Sequence, residues 1–131
     1  MTYLVDTDWI IDHFNHIQKT SQKLKELQPA GIAMSVISLA ELYEGVHYSK
    51  NPSKSQQVIE AFLQEIPVLG IDDQICKIFG QERGRLRKQG KIISDFDLMI
   101  ASTCLSYNLT LLSNNRKHYE RIEGLTMYTP A

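Results

Sequence analysis

Cysteine, proline and glycine are all scarce in this sequence. Its two cysteines, Cys76 and Cys104, are too far apart for a CxxC pair, which argues against a zinc knuckle or a disulfide-stapled scaffold. Seven glycines and four prolines among 131 residues are too few for a disordered or collagen-like chain. No apolar run approaches the roughly 20 residues that cross a bilayer, so no membrane association is expected. No charge excess marks a general polyanion binder, since 14 Lys and Arg face 15 Asp and Glu. The opening Met1-Thr-Tyr-Leu-Val-Asp6 reaches a carboxylate too soon for a secretory leader. A reducing, cytoplasmic location is the expectation.

What is present suits one globular domain over residues 1–131, 43% hydrophobic and 22% charged, without internal repeats or a linker. The charge is divided along the chain. Residues 1–75 hold five Lys/Arg and ten Asp/Glu, whereas residues 76–131 hold nine and five. Such a division suits a metal site beside a phosphate-binding rim, and equally a small domain whose lopsided charge has no partner.

The order of elements is the strongest signal. Tyr3-Leu-Val, Ile32-Ala-Met, Pro67-Val-Leu, Leu109-Thr-Leu-Leu and Leu125-Thr-Met-Tyr128 read as short buried strands. Between them, residues 8–15, 18–28, 36–49, 53–65, 72–89, 95–107 and 115–121 read as helices. Pro29 ends the second, Asn51-Pro52 stops the third, and Gly90 closes the fifth. Strands separated by helices predict an α/β three-layer sandwich with a central, mostly parallel five-stranded sheet. Sites in such folds lie beyond the C-terminal strand ends.

Carboxylates fall at those ends. Asp6 directly follows the first strand, with Asp8 two residues on; a helix N-cap accounts for Asp6 as well as a catalytic role does. Glu41 lies one to two turns into the helix after the second strand. Its neighbours Ala40 and Leu42 are assigned to the buried stripe, and Ile37, Ser38 and Gly45 share its own face. A half-buried Glu needs a partner, either a Lys or Arg or a metal ion. Asp95 and Asp97 open a buried helix that Ser94 can cap, with Asp97 at the capping-box position. Carboxylates about 4 Å apart repel by roughly 4 kcal/mol at an effective dielectric of 20. A cation or a shared proton must offset that. A donor set of oxygen alone favours Mg2+, with Mn2+ as substitute, over zinc, and carboxylate-held Mg2+ suits phosphate chemistry.

Cations lie nearby in sequence: Arg83, Arg85, Arg87, Lys88 and Lys91 before Asp95, and Arg116, Lys117, His118 and Arg121 after the fourth strand. They suit an RNA backbone reaching the metal, or else a solvated helix face. Trp9, Phe96 and Tyr119 are candidates for base stacking, with placement in the core the favoured reading.

In this order and spacing, Leu4-Val-Asp-Thr-Asp8, Ser35-Val-Ile-Ser-Leu-Ala-Glu-Leu-Tyr-Glu-Gly45, Asp97-Leu-Met-Ile-Ala101 and the segment Leu112-Ser-Asn-Asn-Arg-Lys-His-Tyr-Glu-Arg-Ile-Glu-Gly-Leu125 resemble the PIN-domain ribonucleases of the VapC toxin type. These are the toxic half of bacterial toxin–antitoxin pairs. The resemblance spans almost the whole chain. It implies a Mg2+-dependent endoribonuclease that hydrolyses RNA phosphodiesters, in transfer or ribosomal RNA, by a metal-activated water. It places Asp6, Glu41 and Asp97 at the metal-binding acidic positions, choosing Asp97 over Asp95. It puts Ser113 where a Thr is usual and Asn115 where many members carry a fourth Asp. That departure points to one tight metal rather than two, with Asp8, Asp95 or Glu120 as candidates to compensate. It further implies a homodimer and a VapB-like antitoxin whose tail fills the RNA groove.

Two other readings compete. Asp6-Thr7-Asp8 after an apolar strand is similar to haloacid-dehalogenase-like phosphatases with Asp6 as nucleophile, although Ile10 and the short chain depart from that pattern. The other is a receiver-like or RNA-binding module without turnover; a receiver would use Asp72, which is poorly placed for that role.

Overall fold

The computed structural model describes residues 1–129. The chain runs β1 (Tyr3–Val5), α1 (Thr7–Phe14), α2 (Gln18–Leu27), a 3-10 turn (Gln28–Ala30), β2 (Ile32–Ser35), α3 (Val36–Val46), α4 (Pro52–Leu63), β3 (Val68–Leu69), α5 (Asp73–Lys88), α6 (Asp95–Tyr107), β4 (Thr110–Leu112), α7 (Arg116–Tyr119) and β5 (Thr126–Met127). The strands form one sheet in the order β3-β2-β1-β4-β5. Every pairing is parallel, where the sequence predicted a mostly parallel sheet. A helical crossover separates each strand from the next, and only such connections return a chain in the same direction. Among the described residues no helix is long and apolar enough to cross a membrane.

Strand side chains alternate between faces, and this divides the core in two. Leu4, Ala33 and Leu111 pack with Leu86 of α5 and Leu98, Ala101 and Cys104 of α6. Val5, Ile32, Met34 and Leu112 pack with Trp9 and Ile10 of α1, Leu24 of α2, Leu42 of α3 and Ile59 and Phe62 of α4. Each such aliphatic side chain contributes about 1.5–3 kcal/mol on burial. Helices on both faces give the three layers. Helix α6 is buried along most of its length, and the hydroxyls of Ser102 and Thr103 donate back to Leu98 O and Met99 O at 2.7 and 2.9 Å. It ends at Asn108, whose left-handed φ of 54° this residue type tolerates.

Two local readings are corrected. Helix α3 stops at Val46 rather than at residue 49, and Asn51-Pro52 begins the next helix instead of ending this one. Asn51 Oδ1 accepts the Lys54 N–H at 3.2 Å, and Pro52 takes the first helical position, where its missing N–H costs nothing. Ala40 is exposed rather than part of the buried stripe; Ser38, Leu42 and Val46 are the buried residues of α3.

From β1 the chain fills β2 and β3 on one side, then returns to β4 and β5 on the other. The C-terminal ends of neighbouring β1 and β4 therefore border the crevice where open α/β sheets place ligands. The Asp6 N–H donates to Leu112 O at 2.9 Å, fixing the two ends together. Leu111 is fully buried in the central strands; replacing it with Ala should lower unfolding stability by about 2–5 kcal/mol in urea titrations.

Candidate functional site

The strand ends and the helices that follow them deliver a polar cluster to this crevice. Asp6 caps α1 and is only 5% exposed. Its Oδ1 accepts the Thr7 N–H at 2.8 Å and its Oδ2 accepts the Ser113 hydroxyl at 2.7 Å. Asp8 accepts the Trp9 N–H at 2.7 Å and the Asn114 N–H at 2.9 Å, tying the loop after β4 to α1. Glu41 reaches the same place from α3. Its Oε1 accepts the Thr7 hydroxyl at 2.8 Å, and that hydroxyl shares a 2.9 Å hydrogen bond with the fully buried Ser38.

Asp97 comes from the first turn of α6, where Ser94 Oγ accepts its N–H at 3.2 Å. Its Oδ1 accepts the Tyr119 hydroxyl at 3.3 Å, and its Oδ2 lies 3.3 Å from His118 Nδ1. The Asn115 amide nitrogen sits 2.8 Å from that same imidazole nitrogen. Asp6, Thr7, Asp8, Ile11, Glu41, Asp97, Asn114 and Asn115 line one open depression of about 480 Å³.

The electrostatics follow from crowding acids where water is scarce. Burial pushes the Asp6 carboxyl up from 3.8 to about 6; the Ser113 and Thr7 hydrogen bonds pull it down, and the Asp8 and Asp97 charges push it further up. Burial also raises Asp8, with Asp12 adding to the rise. Glu41 is raised chiefly by burial, against the Thr7 hydrogen bond and with help from Asp97. Burial, followed by the charges of Asp6 and Asp97, lifts Tyr119 far above an ordinary phenol, so it stays a neutral donor.

Among the described residues no three His, Cys, Asp or Glu side chains already surround one point as an ion's ligands would; each carboxylate is held by the protein donors just named. The donor chemistry nevertheless fits a hard divalent cation. The lining offers carboxylate and amide oxygens with no thiol, and a cation would offset both the burial of these acids and their mutual repulsion.

The sequence-derived candidates divide clearly. Asp6, Asp8, Glu41, Asp97 and Asn115 meet at the depression, with Ser113 supporting Asp6 from one side. Asp95 does not join them: it points outward and pairs with Arg83. Exposed Glu120 is also outside the lining. Three of the expected RNA-binding cations also hold groups of the protein. Arg83 donates to Ile93 O at 2.9 Å as well. Arg85 holds Glu82 and Arg121 O, and Arg116 donates to Thr129 Oγ1 at 2.9 Å. Arg116 is nevertheless exposed, as are Arg87, Lys88 and Lys117. Trp9 and Tyr119 are core residues, whereas Phe96 is half exposed.

Sequence reasoning missed what Thr7, Ser38 and Tyr119 do here. Small or aromatic residues beside acids carry no periodic signal, and their hydroxyls become informative only once the fold brings distant elements together.

Comparison with known proteins places this geometry in context. The PIN domain family pattern matches residues 3–125. A curated Haemophilus influenzae protein, "Ribonuclease VapC1", is 35% identical over 127 residues, covering 95% of each chain. The Shigella flexneri "tRNA(fMet)-specific endonuclease VapC" is 30% identical over 125 residues, again 95% of each. A crystal structure of VapBC2 from Rickettsia felis, bound to a DNA fragment from its promoter, superposes with a TM-score of 0.92 at 32% identity over 98% of each chain.

The acids also set a pH dependence. The folded state holds the Asp6 proton up to about pH 6, while the unfolded chain releases it near 3.8. Metal-free protein should therefore lose stability as pH rises through that window, by at most about 3 kcal/mol. In chelator, Asp6→Asn should flatten that loss and melt above the wild type at neutral pH. A variant melting below the wild type at pH 7.5 would count against an uncompensated charge at Asp6.

Proposed function

The chain belongs to the PIN domain family, and on that premise we propose that it is a toxin endoribonuclease of the VapC kind, acting in the cytoplasm through a Mg2+ site at the depression. The observation that carries this reading is the convergence of Asp6, Asp8, Glu41 and Asp97 at the β1/β4 switch point. Asp6, Glu41 and Asp97 would hold the ion, Mn2+ substituting for Mg2+. Asn115 brings no charge, which favours one tightly bound cation. When bound, the cation offsets phosphodiester charge and acidifies a water.

The chain's own groups do the positioning. Ser113 and the Thr7 N–H orient Asp6, and the Thr7–Ser38 pair orients Glu41. Exposed Arg87, Lys88, Arg116 and Lys117 would be available to meet phosphates. Water oxygen would bond to phosphorus as the bond to the 3′ oxygen breaks, leaving a 5′-phosphate and a 3′-hydroxyl that takes up a proton. Transfer RNA is the first substrate to test, in line with the named activity of the Shigella relative; ribosomal RNA is the second. A homodimer of one-domain chains is part of the same proposal, tested by light scattering.

The competing readings lose support in the geometry. Asp8, the acid/base a phosphatase would need, is bonded to two backbone N–H groups. Asp72, the receiver-like candidate, caps α5 by accepting the Ile75 N–H at 2.9 Å.

A VapB-like antitoxin is the proposed partner, the complexes with Rickettsia and Haemophilus toxins being the analogy. A groove of about 480 Å³ between α1, α3 and α4 suits an apolar segment of it. Phe14, Leu42, Val46, Val58 and Ile59 line the groove, and it shares Ile11 and Glu41 with the acidic depression.

Two outcomes test this. Asp6→Asn and Asp97→Asn should each lower RNA cleavage by about 100-fold or more with the fold intact by circular dichroism, and growth arrest on induction should disappear with it. Undiminished cleavage by Asp6→Asn overturns the assignment. Val58→Asp, in the groove wall, should reduce co-purification of the antitoxin while cleavage persists.

A further inference from the structure

We propose that Tyr119 is a positioning residue of the acidic site, its hydroxyl holding Asp97 from the core side so that this carboxylate stays turned toward the depression. The inference rests on the metal-site reading above and adds to it a residue that touches neither solvent nor the mouth of the site. The Tyr119 ring is fully buried, within the cluster that includes Leu98, Ala101 and Cys104. It is the only buried residue of four-residue α7, so its seat in the core fixes that turn.

Packing alone does not call for the hydroxyl, because a Phe ring would fill the same space. A buried hydroxyl must find an acceptor, and this one finds a carboxylate, donating to Asp97 Oδ1 at 3.3 Å. Asp97 begins α6, so the phenol reaches the acid from the core side while Ser94 holds its backbone N–H. A neutral donor orients an anion without neutralising it, as groups behind the ligands of metal sites do.

The chain after α7 is fixed as well: Arg85 donates to Arg121 O at 2.8 Å, and the Arg121 guanidinium donates to Ile92 O, in the loop that leads into α6. The phenol is therefore carried on backbone tied to the same segment that presents Asp97.

The test compares Tyr119→Phe with wild type and with Asp6→Asn. Without metal, Tyr119→Phe should keep the wild-type circular dichroism spectrum and melt slightly below the wild-type temperature. By calorimetry it should bind Mn2+ about 10-fold more weakly. Cleavage should need about 10-fold more Mg2+ for half-activation and approach the wild-type rate at saturation. A hydroxyl that served only packing would leave metal affinity unchanged. A second readout needs no variant: in protein labelled with 13C at the tyrosine ζ carbon, with the Tyr119 resonance assigned by triple-resonance spectroscopy, that resonance should shift on adding Mg2+. Wild-type Mn2+ affinity in Tyr119→Phe, or a Tyr119 signal that ignores Mg2+, overturns the proposal. Failure of the parent reading looks different: Asp6→Asn would then bind Mn2+ as tightly as the wild type.

Discussion

Like charges gathered at a half-buried sheet edge are the constraint on which the rest of this structure turns. Each carboxylate pair at contact distance costs about 4 kcal/mol at an effective dielectric of 20. Protein groups offset that cost with dipoles: the Thr7 and Asn114 N–H groups and the Thr7, Ser113 and Tyr119 hydroxyls. No Lys or Arg pairs with Asp6, Asp8, Glu41 or Asp97 among the described residues; His118 beside Asp97 is the nearest approach to an ion pair. The distinction matters chemically. Neutral donors orient anions and leave their charge in place, whereas a bound Arg would neutralise the cluster and close it to a cation.

The arginines that could have entered the site are used one layer out. Arg83 holds Ile93 O and Asp95, Arg121 holds Ile92 O, and Arg85 holds Glu82 and Arg121 O. Together they clamp the segment just before Asp97. A loop that would otherwise sample many conformations thus delivers an acid in one place, next to a helix whose remaining turns are locked in the core. The exposed termini of these pairs add little stability by themselves; their consequence is geometric.

The fold was legible because its signals are local. Leu4-Val, Ile32-Ala-Met and Leu111-Leu alternate between two apolar layers, and helix starts are marked in the sequence, as by Asp6 for α1 after β1 and by Ser94 for α6. The gathering of Asp6, Glu41 and Asp97 at one edge could be anticipated, since strand ends in a parallel sheet share an edge. What could not be read was rotation and partnership. Asp95 and Asp97 are two residues apart on one helix; capping patterns alone do not rank them, the family resemblance selects Asp97, and the structure turns Asp97 to the depression and Asp95 outward to Arg83. Ala40 looked buried because it adjoins Leu42, yet α3 faces the core through Ser38, Leu42 and Val46 instead. Asn51-Pro52 carries both a stop and a start meaning, and the cap to Lys54 settles which applies.

The apolar groove and the acidic depression are separate in chemistry but continuous in space, because α3 contributes to both. Glu41 turns one side toward Thr7 and the acids, while Leu42 and Val46 on the same helix floor the groove. Ile11 of α1 borders the two on the opposite wall. A chain segment seated in the groove would thus border Glu41, which lines both. Shutting the site by occupancy needs no second global state and no coupling free energy between distant positions. Under the proposed function, the fraction of open sites would follow from the partner's concentration and affinity, and the shared residues would set RNA and partner in competition.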